Sequence, residues 1–404
     1  MLFLPQVFPP ETHPTAVMTQ QLARAVVDGG GRATVACGLP HHPGGQVYEG
    51  FGGRASARSE LAGVTVLRCW HPTSRRRDAP TRAAVLASQS LAMACAAARA
   101  DRPDVVVTIG PPLGGPMVGA AVARPFGAKL VSVVFDIYPD VAVASGRLRR
   151  RELIAAARLA ERAGYRAADK LVVLSEGFRR TLSARGVPER KLEVIPVWLS
   201  EDEIMPMSRD TAFRRELGLG LNDFVVLYAG TVGVVSGATV VAEAAARTAN
   251  SRVAFVVVGA GEALDAVRNR TLSLGVSNVT FSPFQPRSRL AEVQATGDIG
   301  LVTLAPGMGR TSVPSKVVGY LAAGRPVVAS VDADSDTARC VQGAGGVVVP
   351  AGDPEALARA VDALALQDTA LARVAARTAF EREFSADRVI ARYLELFTSL
   401  AGDQ

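Results

Sequence analysis

The feature that most constrains this 404-residue chain is a twofold alternation of short, β-branched apolar runs with helical stretches. The first series places strands at 2–7, 33–37, 64–69, 105–109, 129–135 and 170–174. The second, after KLEVIPVW at 191–198, places them at 224–228, 253–258, 279–281, 299–303, 326–330 and 346–349. Runs that are apolar at successive positions suit strands buried on both faces, so each series predicts a parallel sheet covered by helices. The helix at 15–28 shows the punctuation, with Pro14 at its start and Gly29 to Gly31 at its end. Between the series, 196–206 holds Pro196 and Pro206 and little apolar periodicity. One core rarely serves a chain of this length, so two domains are expected, 1–197 and 198–384. A last helix at 385–404, capped by Ser385, carries the stripe Val389, Tyr393, Leu396 or Phe397, and Leu400. The crossover rule puts the ligand edge of each sheet at its carboxyl ends.

Composition removes several classes. Apolar residues at 49% and charged residues at 21% supply two cores and exclude a disordered chain. The four cysteines, Cys37, Cys69, Cys95 and Cys340, form no C-x-x-C pair, which fits reduced thiols in a cytoplasmic protein. Pro9 and Pro10 follow the first strand too closely for a signal peptide, and PPLGGP at 111–116 breaks the longest uncharged run, so no membrane-spanning helix is expected. Residues 1–200 hold 26 Lys+Arg against 15 Asp+Glu, the remainder 19 against 23. The basic half suits an anionic partner, such as a membrane surface, a lipid pyrophosphate or an acidic glycan, met through Arg75, Arg76 and Arg77 and through Arg147, Arg149, Arg150 and Arg151. An arginine-rich solvated surface is the alternative. Nucleic acid is not expected, because these clusters are not interleaved with aromatic residues.

The strongest local pattern is TSVPSKVVGYLAAGRPVVAS at 311–330. Pro314 opens a helix predicted to run to about Ala323, and Gly324 stops it. A helix starting beside strand ends offers free N–H groups to phosphate, and Ser315 and Lys316 add a hydroxyl and a charge there. LYAGTVG at 227–233 follows a strand and supplies Gly230 and Gly233 for close approach to a diphosphate. VVVGAGEAL at 256–264 begins like a dinucleotide fingerprint but has Leu264 at the third glycine position, which argues against NAD. Asp332, Asp334 and Asp336 read as turn and capping residues, and no metal is expected. In the first half, Glu11 and His13 lie after strand one, His41 and His42 after strand two, and Asp136 ends another strand; each is a candidate catalytic or acceptor-binding group or a loop residue making local hydrogen bonds.

These segments jointly resemble the family-4 retaining glycosyltransferases, in particular the bacterial colanic-acid and O-antigen L-fucosamine transferase branch. The likeness rests on FPPE, PHHPGGQVYEGF (40–51), FDIYPD, ADKLVVLSEGFRRTL (168–182), VIPVW, YAGTVG, NVTFSPFQPRSRL (278–290) and VPSKVVGYLAAGRPVVA, and covers nearly the whole chain. It implies a GT-B fold: two doubly wound Rossmann-like α/β domains facing across a cleft, with the last helix returning to the first domain. It implies transfer of a sugar from a nucleotide-diphosphate donor, a UDP-sugar, to a glycan, glycolipid or small-molecule acceptor, with retention, without metal or cofactor, and at the cytoplasmic membrane face. Gly230, Thr231, Gly233, Ser315 and Lys316 would meet the diphosphate, with Arg310 and Pro314 beside them. Gly259, Gly261, Phe284, Gln285 and Pro286 would border the base. His41, His42 and Tyr48 would meet the acceptor, and Asp136, Glu11 and His13 would take part in catalysis. Thr311 and Gly319 stand where the family carries a Glu-x7-Glu pair, Phe135 where it carries a catalytic-loop histidine, and Thr231 and Ser236 around the place of an Arg/Lys pair. Two alternatives stay open: a catalytically weak partner subunit and a nucleotide-sugar epimerase.

Overall fold

The computed structural model describes the chain except Pro43, Arg77, 111–113, Ser145, Arg147, 311–314 and 403–404; the side chains of Ala79, Pro80, Arg82, Ala144 and Arg310 also lie outside the description. The chain forms two compact units, Met1–Ile195 with Ile390–Gln404, and Pro196–Val389.

The first unit is built on strands β1 (Leu2–Pro5), β2 (Thr34–Gly38), β3 (Ser56–Leu61), β4 (Val64–Cys69), β5 (Val105–Ile109), β6 (Lys129–Val134), β7 (Lys170–Val173) and β8 (Leu192–Val194). They form one sheet in the order β3-β4-β2-β1-β5-β6-β7-β8. All neighbours pair parallel except β3 with β4. That antiparallel edge hairpin departs from the all-parallel expectation. Ala62 and Gly63, both at positive φ, make its two-residue turn. Its strand SARSEL is mostly exposed and so carries no apolar run. By contrast Val105 to Ile109 are buried at every position, and each such valine or isoleucine contributes roughly 1.5–3 kcal/mol of burial. The helix Ala386–Gly402 supplies the stripe read from the sequence, with Val389, Tyr393, Leu396, Phe397 and Leu400 all buried. Phe397 meets Phe3 of β1 edge-on at 6.2 Å.

The second unit has β9 (Phe224–Ala229), β10 (Val253–Val258), β11 (Val279–Ser282), β12 (Ile299–Thr303), β13 (Val327–Ser330) and β14 (Val347–Val349). The order is β11-β10-β9-β12-β13-β14, all parallel. Alternate residues of β9 enter different cores, Val225 and Leu227 on one side and Val226 and Tyr228 on the other. Strand order reverses between β9 and β12, the place where doubly wound sheets open a crevice at their carboxyl edge. These two strands pair only at Ile299↔Val226 and Gly300↔Leu227. Beyond that point the Tyr320 hydroxyl accepts from Ala229 N at 2.8 Å and donates to Leu301 O at 3.3 Å. Tyr320 is fully buried and sits where a side chain at Gly300 would stand. It therefore fixes the helix Lys316–Ala322 over the opened ladder. At the other end of the sheet, Asp298 accepts from Arg209, Arg214, Arg373 and the Val225 amide, tying the starts of β9 and β12 together.

Candidate functional site

In the second unit the loops after β9 and β10 are clasped backbone to backbone. Gly230 N donates to Val258 O at 2.9 Å, Val232 N to Ala260 O at 3.0 Å, and Ala263 N to Val232 O at 3.0 Å. A Cβ at Gly259 would lie 2.0 Å from Gly230 O, and one at Gly261 would lie 2.3 Å from Val232 O. Both glycines also have φ near +150°. Their geometry thus serves the approach of one loop to the other, a duty the sequence reading had not assigned them. Gly230 has φ +136°, whereas Gly233 has an ordinary φ of −100° and open space around it. The Tyr228 hydroxyl donates to Thr231 O at 3.0 Å, Ser236 Oγ to Gly233 O and Thr303 Oγ1 to Ser236 O, each at 2.6 Å. Three separate side chains therefore hold this glycine loop in one shape.

Lys316 begins the short helix over this loop. It is half-buried, and its Nζ lies 3.6 Å from the centre of the Tyr228 ring. Its Cε and Nζ are 3.4 and 3.8 Å from where a Cβ on Gly230 would be. Among the described residues no carboxylate pairs with it, and burial lowers its pKa to about 7. Ser315 precedes it, exposed, with no side-chain capping bond. The helix starts at Lys316 in place of Pro314, which lies outside the described residues with Thr311, as does the Arg310 side chain. Thr231 is exposed beside Gly230. Phe284 is 55% exposed after β11, next to exposed Pro286, and Gln285 turns back to Ser282 Oγ and Pro283 O. At Gly319 an added Cβ would meet the Gln294 amide nitrogen at 3.3 Å. Gln294 is buried and its Oε1 has no partner. Asp332 accepts from the amides of Gly307 and Gly309, Ser335 caps the next helix and Asp336 pairs with Arg339, which accounts for that acidic run by local bonds. No cluster able to hold a metal ion occurs among the described residues.

In the first unit all four histidines of the chain gather around Glu11. The Glu11 carboxylate is 4% exposed and accepts from the amides of Phe8 at 3.1 Å, His41 at 3.0 Å and His42 at 2.8 Å. Those bonds clasp the loops after β1 and β2 and engage both carboxylate oxygens. His13 caps its helix, with Nδ1 2.7 Å from Thr15 Oγ1, and its ring stands edge-on to His42 at 5.2 Å. The Tyr48 hydroxyl donates to His42 O at 2.6 Å. His41 Nδ1 lies 3.0 Å from Leu39 O, and its ring packs on His71 at 4.8 Å. The sequence reading had no motif for His71. It is 1% exposed, with Nδ1 3.1 Å from Pro72 O and Nε2 without a partner, and it fills the space left by Gly38. Burial lowers the pKa of His13, His42 and His71. Asp136 is exposed at the end of β6, has no ion-pair or hydrogen-bond partner among the described residues, and is raised in pKa by desolvation. The arrangement thus divides its polar groups: Glu11 and His71 inside, His42, Tyr48 and Asp136 toward solvent.

Two parallel-sheet α/β units, each with glycine loops or polar loops at its carboxyl edge, define the GT-B class of transferase folds. The family models agree. A Glycosyl transferase 4-like domain matches residues 15–198, and Glycosyl transferases group 1 matches residues 223–367. The chain belongs to these GT-B glycosyltransferases of the group 1 and 4 type. It is 28% identical over 291 residues to WbjE of Pseudomonas aeruginosa, named as a glycosyltransferase, covering 71% of this chain and 72% of that one. It is 25% identical over 351 residues to WcaI of Escherichia coli K12, named for colanic acid biosynthesis, covering 85% and 86%. Among solved structures, Anabaena Alr3699/HepE in complex with UDP superposes with a TM-score of 0.72 at 19% identity, over 98% of this chain and 99% of that one. No helix among the described residues is long and apolar enough to cross a membrane.

Proposed function

We infer that this glycosyltransferase moves a sugar from a nucleotide-diphosphate donor, a UDP-sugar, to a glycan or glycolipid acceptor in the assembly of a cell-surface polysaccharide, with retention and without a metal. The observation that carries the reading is Lys316: a lysine amine with no counter-ion among the described residues, held against a braced glycine loop at the switch point of the second sheet. When the bond between the sugar and the diphosphate breaks, negative charge grows on the departing phosphate. A preorganised lysine stabilises charge at that place, typically by ~3–4 kcal/mol for one well-aimed donor. Ser315 adds a hydroxyl donor, and the exposed Phe284 ring offers a face to the base. In the first unit His42, Tyr48 and Asp136 are available to an acceptor, and the basic surface around Arg75, Arg76 and Arg149 to Arg151 suits an anionic membrane. The named relatives fit this setting: WcaI is named for colanic acid biosynthesis, and the HepE structures hold UDP and UDP-glucose.

The test is a panel of UDP-, GDP- and dTDP-sugars, with release of the nucleoside diphosphate followed in the presence of lipid-linked acceptors. Release from none of them, together with no saturable nucleotide binding, would remove the reading. Gly319, where the resemblance expects a carboxylate, supports a second reading as a weakly catalytic partner subunit. Micromolar UDP binding with turnover decides against that alternative.

A further inference from the structure

Tyr228 carries two separate functions. Its hydroxyl braces the glycine loop at Thr231 O, while its ring lies under the Lys316 ammonium at 3.6 Å. The ring is fully buried and cannot swing away. Lys316 is fixed from the other side by its helix, which Tyr320 anchors to Ala229 and Leu301. A cation over an aromatic face gains less than an ammonium loses on leaving water. The amine therefore sits near the balance between its two forms, and burial brings its pKa to about 7. Among the described residues, the titratable side chains around it are Tyr228, raised to about 12, and Tyr320, raised further, both of them neutral. Among the described residues, desolvation is what lowers the lysine's pKa.

We propose that Tyr228 is a positioning residue of the donor site: its ring holds the Lys316 amine against the glycine loop, ready to take a proton from solvent as the donor's diphosphate arrives. This rests on the donor-site reading above. The step balances as one proton moving from water to the neutral amine, with no bond to the donor made or broken. Binding of the diphosphate and charging of the lysine are then one event, and the site presents its full positive charge only when an anion is there to meet it.

The probes are UDP-glucose, GDP-mannose and dTDP-glucose, whose diphosphate diesters have no proton to lose between about pH 6 and 9. Calorimetry of the full chain in two buffers of different ionisation heat counts the protons taken up. Near pH 8.5 the uptake is expected to approach one, and near pH 6 to fall to about a tenth, with affinity weakening roughly tenfold per pH unit above 7. Lys316→Met abolishes the uptake. Tyr228→Phe, which keeps the ring, leaves the midpoint of the pH profile in place, whereas Tyr228→Leu moves it lower by roughly half a pH unit or more. Should Tyr228→Leu fail to fold, the wild-type chain answers directly. It has only four lysines, Lys129, Lys170, Lys191 and Lys316, so ε-carbon labelling resolves the Lys316 signal, expected to titrate near neutrality and to shift upward with donor. Binding without uptake, a Lys316 midpoint near that of a free lysine, or a Tyr228→Leu profile identical to wild type would each overturn the proposal while leaving the donor site standing. Failure of all three probes to bind would overturn the donor site itself.

Discussion

Glu11 and Lys316 occupy comparable places in the two units, beyond the carboxyl ends of central strands, and the protein treats their charges in opposite ways. Glu11 is surrounded by donors: three backbone amides converge on its carboxylate and clasp two loops. Lys316 is surrounded by an aromatic face and a glycine, with no acceptor of opposite charge among the described residues. A buried charge that is fully hydrogen-bonded contributes to the stability of its fold, whereas one left uncompensated costs stability and is kept for another purpose. In the sequence Lys316 reads as a phosphate-binding charge at a helix start and Glu11 as a candidate catalytic group or a loop residue. Their surroundings separate them into a structural clasp and a ligand-seeking cation.

The largest effect that tests this contrast is on turnover. Lys316→Met should lower nucleotide release by about 100- to 1000-fold, the usual cost of one well-placed donor to a developing anion. Its melting temperature should stay level or rise, since the substitution removes a desolvated amine that has no acceptor of opposite charge among the described residues. A loss of more than about 1 kcal/mol in stability would instead make Lys316 a structural residue. The mirror-image substitution, Glu11→Ala, leaves three inward amides unpaired at about 1–3 kcal/mol each before relaxation. Scanning calorimetry should show the first unit destabilised by about 3 kcal/mol in total, while affinity of the second unit for a nucleotide diphosphate is unchanged. A destabilisation too small to resolve would mean that water replaces the carboxylate and that the clasp is dispensable.

How far the sequence could be read follows from the same physics of surroundings. Strands such as Val105–Ile109 and Val253–Val258 are buried on both faces, so their burial is written as an unbroken apolar run. Ser56–Leu61 lies at an edge with most side chains in water, so nothing in its composition distinguishes it from a loop; only the turn at Ala62 and Gly63 hints at a hairpin. Lys316 was legible as a cation at a helix start, but its partner Tyr228 is set by how that helix crosses the opened β9–β12 ladder, which no local pattern encodes. His71 was invisible for a related reason. The parallel pairing of β2 with β4 brings it to Gly38, and its one signal in the sequence is a glycine at the end of a strand, where room is needed for a ring. The resemblance sets Gly259 and Gly261 at the border of the base, while the structure uses them for the contact of one loop with its neighbour.

The smallest effect concerns pH, and it separates the two units by the window in which each responds. Burial lowers the pKa of His13, His42 and His71 below the ordinary value of about 6.5. As pH falls through that value the unfolded chain takes up protons before the folded one does, so the first unit is fully stable above about 6.5 and loses stability toward the folded pKa values. Lys316 is lowered to about 7 from an unfolded value near 10.4. Over that range the unfolded chain again holds the extra proton, so the second unit gains stability as pH rises above 7. The alkaline slope should approach about 1.4 kcal/mol per pH unit, a few degrees in melting temperature. Melting curves from about pH 5.5 to 9 would show the first unit responding below neutrality and the second above it. His71→Asn should flatten the acid limb alone, and Lys316→Met the alkaline limb alone. If Lys316→Met left the alkaline limb as steep as in the wild type, the amine would already be charged in the empty site, and the contrast with Glu11 would rest on geometry without titration.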